Sequence, residues 1–148
     1  MSTFTQILYQ IVYCTKYRSP SLKEENRTEL YKYIWGILKN KHCVLYQIGG
    51  IEDHLHIVTH LHASVALADL VKDIKLSSAE FIKNQYLFPD FNGWQEGYAA
   101  FTYSMNAKEN LISYVKNQED HHRKKTFTEE LKGLLQEHRI TFDEKYLL

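Results

Sequence analysis

The chain is short of the residues that stop or staple a backbone. Two prolines and six glycines in 148 residues leave room for long regular elements and exclude a proline-rich linker or a low-complexity segment. Two cysteines, Cys14 and Cys43, have neither CxxC spacing nor the density of a disulfide scaffold, so a reducing compartment is the better expectation. No uninterrupted apolar run approaches the ~20 residues that cross a bilayer. Met1-Ser2-Thr3-Phe4 leads straight into an alternating pattern, without a basic segment and an apolar signal core. A soluble, cytoplasmic protein with no membrane partner is expected. Charge of one sign is also lacking: eighteen basic and eighteen acidic residues cancel, so no global positive field draws this chain to nucleic acid. Finally, there is no GxxxxGK[ST] loop, which argues against P-loop nucleotide chemistry.

What is present is an ordinary globular composition, 44% hydrophobic and 24% charged. It suits a single domain over residues 1–148 that buries roughly 70% of its unfolded surface. The basic residues are unevenly spread despite the neutral sum. Lys72, Lys75 and Lys83 share one segment, Arg123, Lys124 and Lys125 follow His121-His122, and Lys16 lies near Arg18. The first two groups are candidates for phosphate contact, or are plain solvated faces.

Periodicity orders the chain. Residues 4–13 alternate as a strand, and 24–41 carry a helical stripe of Leu30, Ile34, Ile37 and Leu38. Residues 43–48 form a second strand, which Gly49-Gly50 closes as a tight hairpin connection, and the third strand runs to about Leu61. A second helix spans 65–85, and a last strand, interrupted by Gly97, spans 94–104. The order β-α-β-β-α-β is the ferredoxin-like split βαβ. The fold class is therefore α+β: an antiparallel sheet with helices on one face, plus C-terminal helices. The capping boxes Asn106/Glu109 and Thr126/Glu129 open those last helices.

Two short patterns carry chemistry. In Glu52-Asp53-His54-Leu55-His56-Ile57-Val58 the two histidines flank one apolar residue, so on a strand both imidazoles share a face and converge on one ion. Two ordinary strand histidines give the same pattern. Glu52 shares their parity as a candidate carboxylate or a solvated acid, and Asp53 should accept backbone hydrogen bonds where the strand begins. His60 lies about 13 Å from His56 along a regular strand, too far to join them, and His62 is farther. In the helix that follows, Tyr114 and Gln118 are four apart on one face, with His121 and His122 extending the stripe. A polar stripe is equally a solvated face, and eleven tyrosines make packing the ordinary role for any one of them.

Taken together, Asp53-His54-Leu55-His56-Ile57-Val58, Trp94-Gln95-Glu96-Gly97-Tyr98, Tyr114-Val115-Lys116-Asn117-Gln118 and Phe142-Asp143-Glu144-Lys145-Tyr146-Leu147 resemble a known family. It is the HUH-type tyrosine transposases of small bacterial insertion sequences, the IS200-like family. The resemblance covers nearly the whole chain. It implies a homodimer with a composite site, in which the tyrosine helix of one subunit completes the histidine pair of the other. It implies DNA hairpins as the bound partner, and nicking and rejoining of single-stranded DNA through a 5′-phosphotyrosine. Tyr114 then matches the nucleophile, His54 and His56 the metal pair, and Gln118 the third ligand. The mixed nitrogen and oxygen set suits Mg²⁺ or Mn²⁺. The alternatives are an inactive or domesticated relative that only binds hairpin DNA or RNA, and a replication or mobilisation nickase of the same superfamily.

Overall fold

The computed structural model describes residues 2–148. Its elements run β1 (Leu8–Cys14), α1 (Glu24–Asn40), β2 (Val44–Gly50), β3 (His54–His60), α2 (Leu67–Asn84), β4 (Ala99–Tyr103), α3 (Lys108–Lys116), α4 (Gln118–His122) and α5 (Phe127–Glu137), with three short 3-10 turns between or after them. The four strands form one antiparallel sheet in the order β2-β3-β1-β4. That order, reached through the crossovers α1 and α2, is the ferredoxin-like arrangement expected from the element sequence.

Strand alternation sorts the side chains into two layers. Ile11 and Tyr13 of β1 and Leu55 and Ile57 of β3 face α1 and α2, where they meet Leu30, Ile34, Leu38, Leu70, Val71 and Ile74 in the main core. The helix stripes read from the sequence are thus the buried ones, although Ile37 only packs at the margin. The opposite face is covered by the C-terminal helices. There α5 sets Phe127, Leu131, Leu134 and Leu135 on Val12, Cys14 and Phe101, and α3 sets Leu111 and Val115 on Leu8 and Val58.

The structure corrects several local expectations. Gly49-Gly50 is the end of β2 rather than the hairpin turn, which falls at residues 51–53. The last strand is shorter than its pattern, and Trp94 keeps only an isolated bridge to Thr15. Asn106 caps nothing, because a 3-10 turn over Met105–Ala107 comes first and Ala107 is the N-cap of α3. The Thr126/Glu129 box is formed in both directions. The expected single tyrosine helix is broken at Asn117, which separates α3 from α4.

Candidate active site

Between α3 and α5 the second face of the sheet is polar. In the β1–β3 register His54 lies opposite Cys14 and His56 opposite Val12, so both imidazoles rise from the middle of the sheet and are fully buried. Each ring is held by its far nitrogen. His54 Nδ1 lies 2.8 Å from Asp53 Oδ1, and His56 Nδ1 lies 2.7 Å from Gln10 Oε1. Gln10 is fixed in turn by donating from Nε2 to the Tyr103 hydroxyl at 2.8 Å. Carboxylate and amide oxygens only accept, so Nδ1 of each ring donates to its partner behind the site, and Nε2 is turned into the site. Asp53 therefore orients an imidazole, where the sequence suggested a backbone role. Glu52 is exposed, 3.8 Å from Lys23, and takes no part.

The break at Asn117 does not separate the helical pair. Gln118 is buried, its Oε1 lies 3.0 Å from His54 Nε2, and its Nε2 donates to Glu130 Oε2 at 3.0 Å. The Tyr114 hydroxyl donates to the same Glu130 Oε2. The tyrosine, the glutamine and both histidines thus meet within one chain. His121 packs at a tilt against the Tyr114 ring, centroids 4.6 Å apart. His122 is the inward member of that pair, its Nε2 3.1 Å from Gln118 Oε1.

Glycine at position 49 makes the convergence feasible. Gly49 lies opposite His56 in the β2–β3 register, and a Cβ there would collide with the backbone carbonyl of Val115. The backbone of α3 can approach the sheet next to Tyr114 only because that side chain is missing.

Sequence reasoning missed the residue at the centre. Glu130 Oε1 lies 3.0 Å from His56 Nε2, 3.1 Å from His122 Nε2 and 3.4 Å from His54 Nε2. The signal was there: Glu130 is three residues after Phe127 and four before Leu134, a lone acid on the apolar stripe of α5. Gln10 is the matching anomaly among the inward residues Leu8, Val12 and Cys14 of β1.

These groups set one another's ionisation. Burial works against charge on His54, but hydrogen bonds to Asp53 and Glu130 outweigh it and push its pKa up to about 9. For His56 burial prevails and the pKa falls. Burial also opposes charge on Glu130, yet the three imidazoles hold its carboxyl far below the usual range. Tyr114 is raised well above the ordinary phenol, first by burial and then by Glu130.

The donor set fits a divalent cation. Donors about 2.1 Å from a common ion stand about 3.0 Å apart at right angles and about 3.4 Å apart at tetrahedral angles, the range observed around Glu130 Oε1. Ligand atoms of His54, His122 and Glu130 all lie within 4.8 Å of one another, a group that has His122 where the sequence-derived set has His56. Tyr114, Lys125 and Glu130 also line two adjoining cavities of 570 and 490 Å³.

The basic candidates divide by face. Lys124 and Lys125 border the cavity beside Tyr114, while Arg123 pairs with Asp120 at 3.3 Å. Lys72, Lys75 and Lys83 belong to α2, across the sheet from the histidines. Lys75 is half-buried and donates to the carbonyls of Gln95 and Gly97, so its ammonium is engaged by backbone rather than offered to solvent.

Residues 3–118 match the family described as IS200-like transposases. The chain belongs to that family. The ISDra2 transposase TnpA of Deinococcus radiodurans is 26% identical over 120 residues, covering 78% of this chain and 86% of the relative. A crystal structure of a candidate transposase from Deinococcus radiodurans R1 superposes with a TM-score of 0.64 at 22% identity, over 80% of this chain and 95% of that one. A REP-associated tyrosine transposase bound to a REP hairpin gives a TM-score of 0.53 at 13% identity, over 78% of this chain and 70% of that one. Both structures share the transposase fold with this chain. The ferredoxin-like expectation and the family resemblance therefore hold, and the chain is an enzyme of DNA transposition.

Proposed function

We propose that this transposase nicks and rejoins single-stranded DNA at hairpin-marked ends through a covalent 5′-phosphotyrosine on Tyr114, with a divalent ion, Mg²⁺ or Mn²⁺, held by His54, His56 and Gln118. The observation that carries the reading is the convergence of one phenol with two Nε2 atoms whose rings are both locked from behind. A bound divalent ion supplies charge stabilisation for the scissile phosphate and the departing 3′-oxygen.

The chain's own residues do the rest. Asp53 and Gln10 keep the two imidazoles in the liganding tautomer. Tyr114 Oη gives its proton to the Glu130 carboxylate it touches and attacks phosphorus, forming the P–O bond to tyrosine as the bond to the 3′-oxygen breaks, and that oxygen takes up a proton and leaves as a 3′-hydroxyl. The phosphotyrosine retains an ester bond, so attack by a free 3′-hydroxyl reverses the step and joins a new strand without a nucleotide cofactor. Lys124 and Lys125, which line the cavity beside Tyr114, would meet the DNA backbone. A homodimer with exchanged tyrosine helices would rebuild the same cluster from two chains, although one chain already satisfies it.

The test is labelled single-stranded DNA carrying the element's ends, incubated with Mn²⁺ or with chelator and resolved on a denaturing gel. Wild-type protein should acquire label only with metal. Tyr114→Phe should form no adduct while still binding the hairpin. An adduct formed by Tyr114→Phe at the wild-type rate would remove Tyr114 as nucleophile. Hairpin binding without cleavage of any genuine end would instead favour the binding-only reading.

A further inference from the structure

The family match ends at Gln118, yet the most connected side chain in the site lies beyond it, on α5. We propose that Glu130 is a ligand of the metal centre: its Oε1 joins His54, His56 and Gln118 around the ion, while its Oε2 holds the hydroxyl of Tyr114 beside that ion. The inference rests on the metal-dependent reading above and adds to it a residue that the histidine and tyrosine motifs do not contain.

Three observations carry it. The first is cost. Glu130 is 4% exposed and shares its helix face with Phe127, Leu131 and Leu134, and a helix serving only to cover the sheet would not bury a carboxylate there. The second is geometry. Oε1 lies 3.0–3.4 Å from the Nε2 atoms of His54, His56 and His122, and ligand atoms of Glu130, His54 and His122 all lie within 4.8 Å of one another. Oε2, meanwhile, accepts from both Gln118 and Tyr114. One carboxylate thus spans the distance between the liganding atoms and the nucleophile. The third is chemistry. Two imidazoles and an amide are a neutral set, and hard divalent cations favour charged oxygen ligands.

The position is also fixed by the fold. A capping box starts α5 four residues ahead of Glu130, counting from Thr126, and its apolar side is seated on Val12, Cys14 and Phe101. Glu130 therefore reaches the site from a docked helix.

Mn²⁺ binding to the full chain, followed through the electron paramagnetic resonance signal of the free ion, tests this without any turnover. Glu130→Gln, which keeps the volume and one oxygen, should weaken Mn²⁺ binding by about tenfold or more, and Glu52→Gln, at the exposed acid beside Lys23, should leave it unchanged. Glu130→Asp, which keeps the charge but draws the oxygens back, should also weaken it and serves if the Gln variant does not fold. His54→Ala should abolish binding. Equal or tighter binding in folded Glu130→Gln, with His54→Ala still inactive in binding, would overturn the ligand role and leave the proposed function standing. Unchanged binding in His54→Ala would overturn both.

Discussion

The two metal-facing imidazoles are prepared by different partners, and the difference is testable. His54 is backed by a carboxylate and His56 by an amide that is itself held by Tyr103. Only Asp53 adds negative charge behind a ring, so it raises the basicity of its imidazole as well as fixing the tautomer. Asp53→Ala should lower Mn²⁺ affinity by about tenfold or more while the melting temperature changes little, since Asp53 packs at a strand start with part of its side chain exposed. A calorimetric titration of metal into the variant checks this. Undiminished affinity would mean that the Asp53 contact does not help the imidazole bind metal.

At the scale of elements, the site depends on how close α3 comes to the sheet. The backbone of α3 at Val115 occupies the space left by the missing side chain of Gly49, and Leu111 and Val115 anchor the helix on Leu8 and Val58. Gly49→Ala should cost about 1–3 kcal/mol by overpacking and shift Tyr114 away from His56. A melting curve and the adduct assay together read both effects, and an alanine variant with normal adduct formation would show that α3 can dock farther out without loss. Strands and helices were legible in the sequence because their stripes repeat at fixed periods, and the histidine parity of β3 read correctly for the same reason. Position 49 reads as a turn in the sequence because a Gly-Gly pair signals both a tight turn and a close backbone approach, and here it is the second. Glu130 was not picked out because its partners lie on β3, α3 and α4, and nothing in local spacing brings them together.

For the whole molecule, the sheet divides its labour. One face builds the main core with α1 and α2, and the other carries the site between α3 and α5 over the two central strands, β3 and β1. Every group of the cluster comes from one chain, whereas the family resemblance implies two chains per site. The two arrangements predict opposite results when His54→Ala and Tyr114→Phe proteins are co-expressed. If each chain builds its own site, the first lacks an imidazole, the second lacks the nucleophile, and no labelled adduct appears. If the tyrosine helices are exchanged, each mixed dimer contains one intact site, and adduct returns to about a quarter of the wild-type level for random pairing. An α3 seated on its own β2 and β3 corresponds to no recovery. Recovery near a quarter would place Tyr114 in the partner's site and assign the contact at Gly49 to the dimer interface.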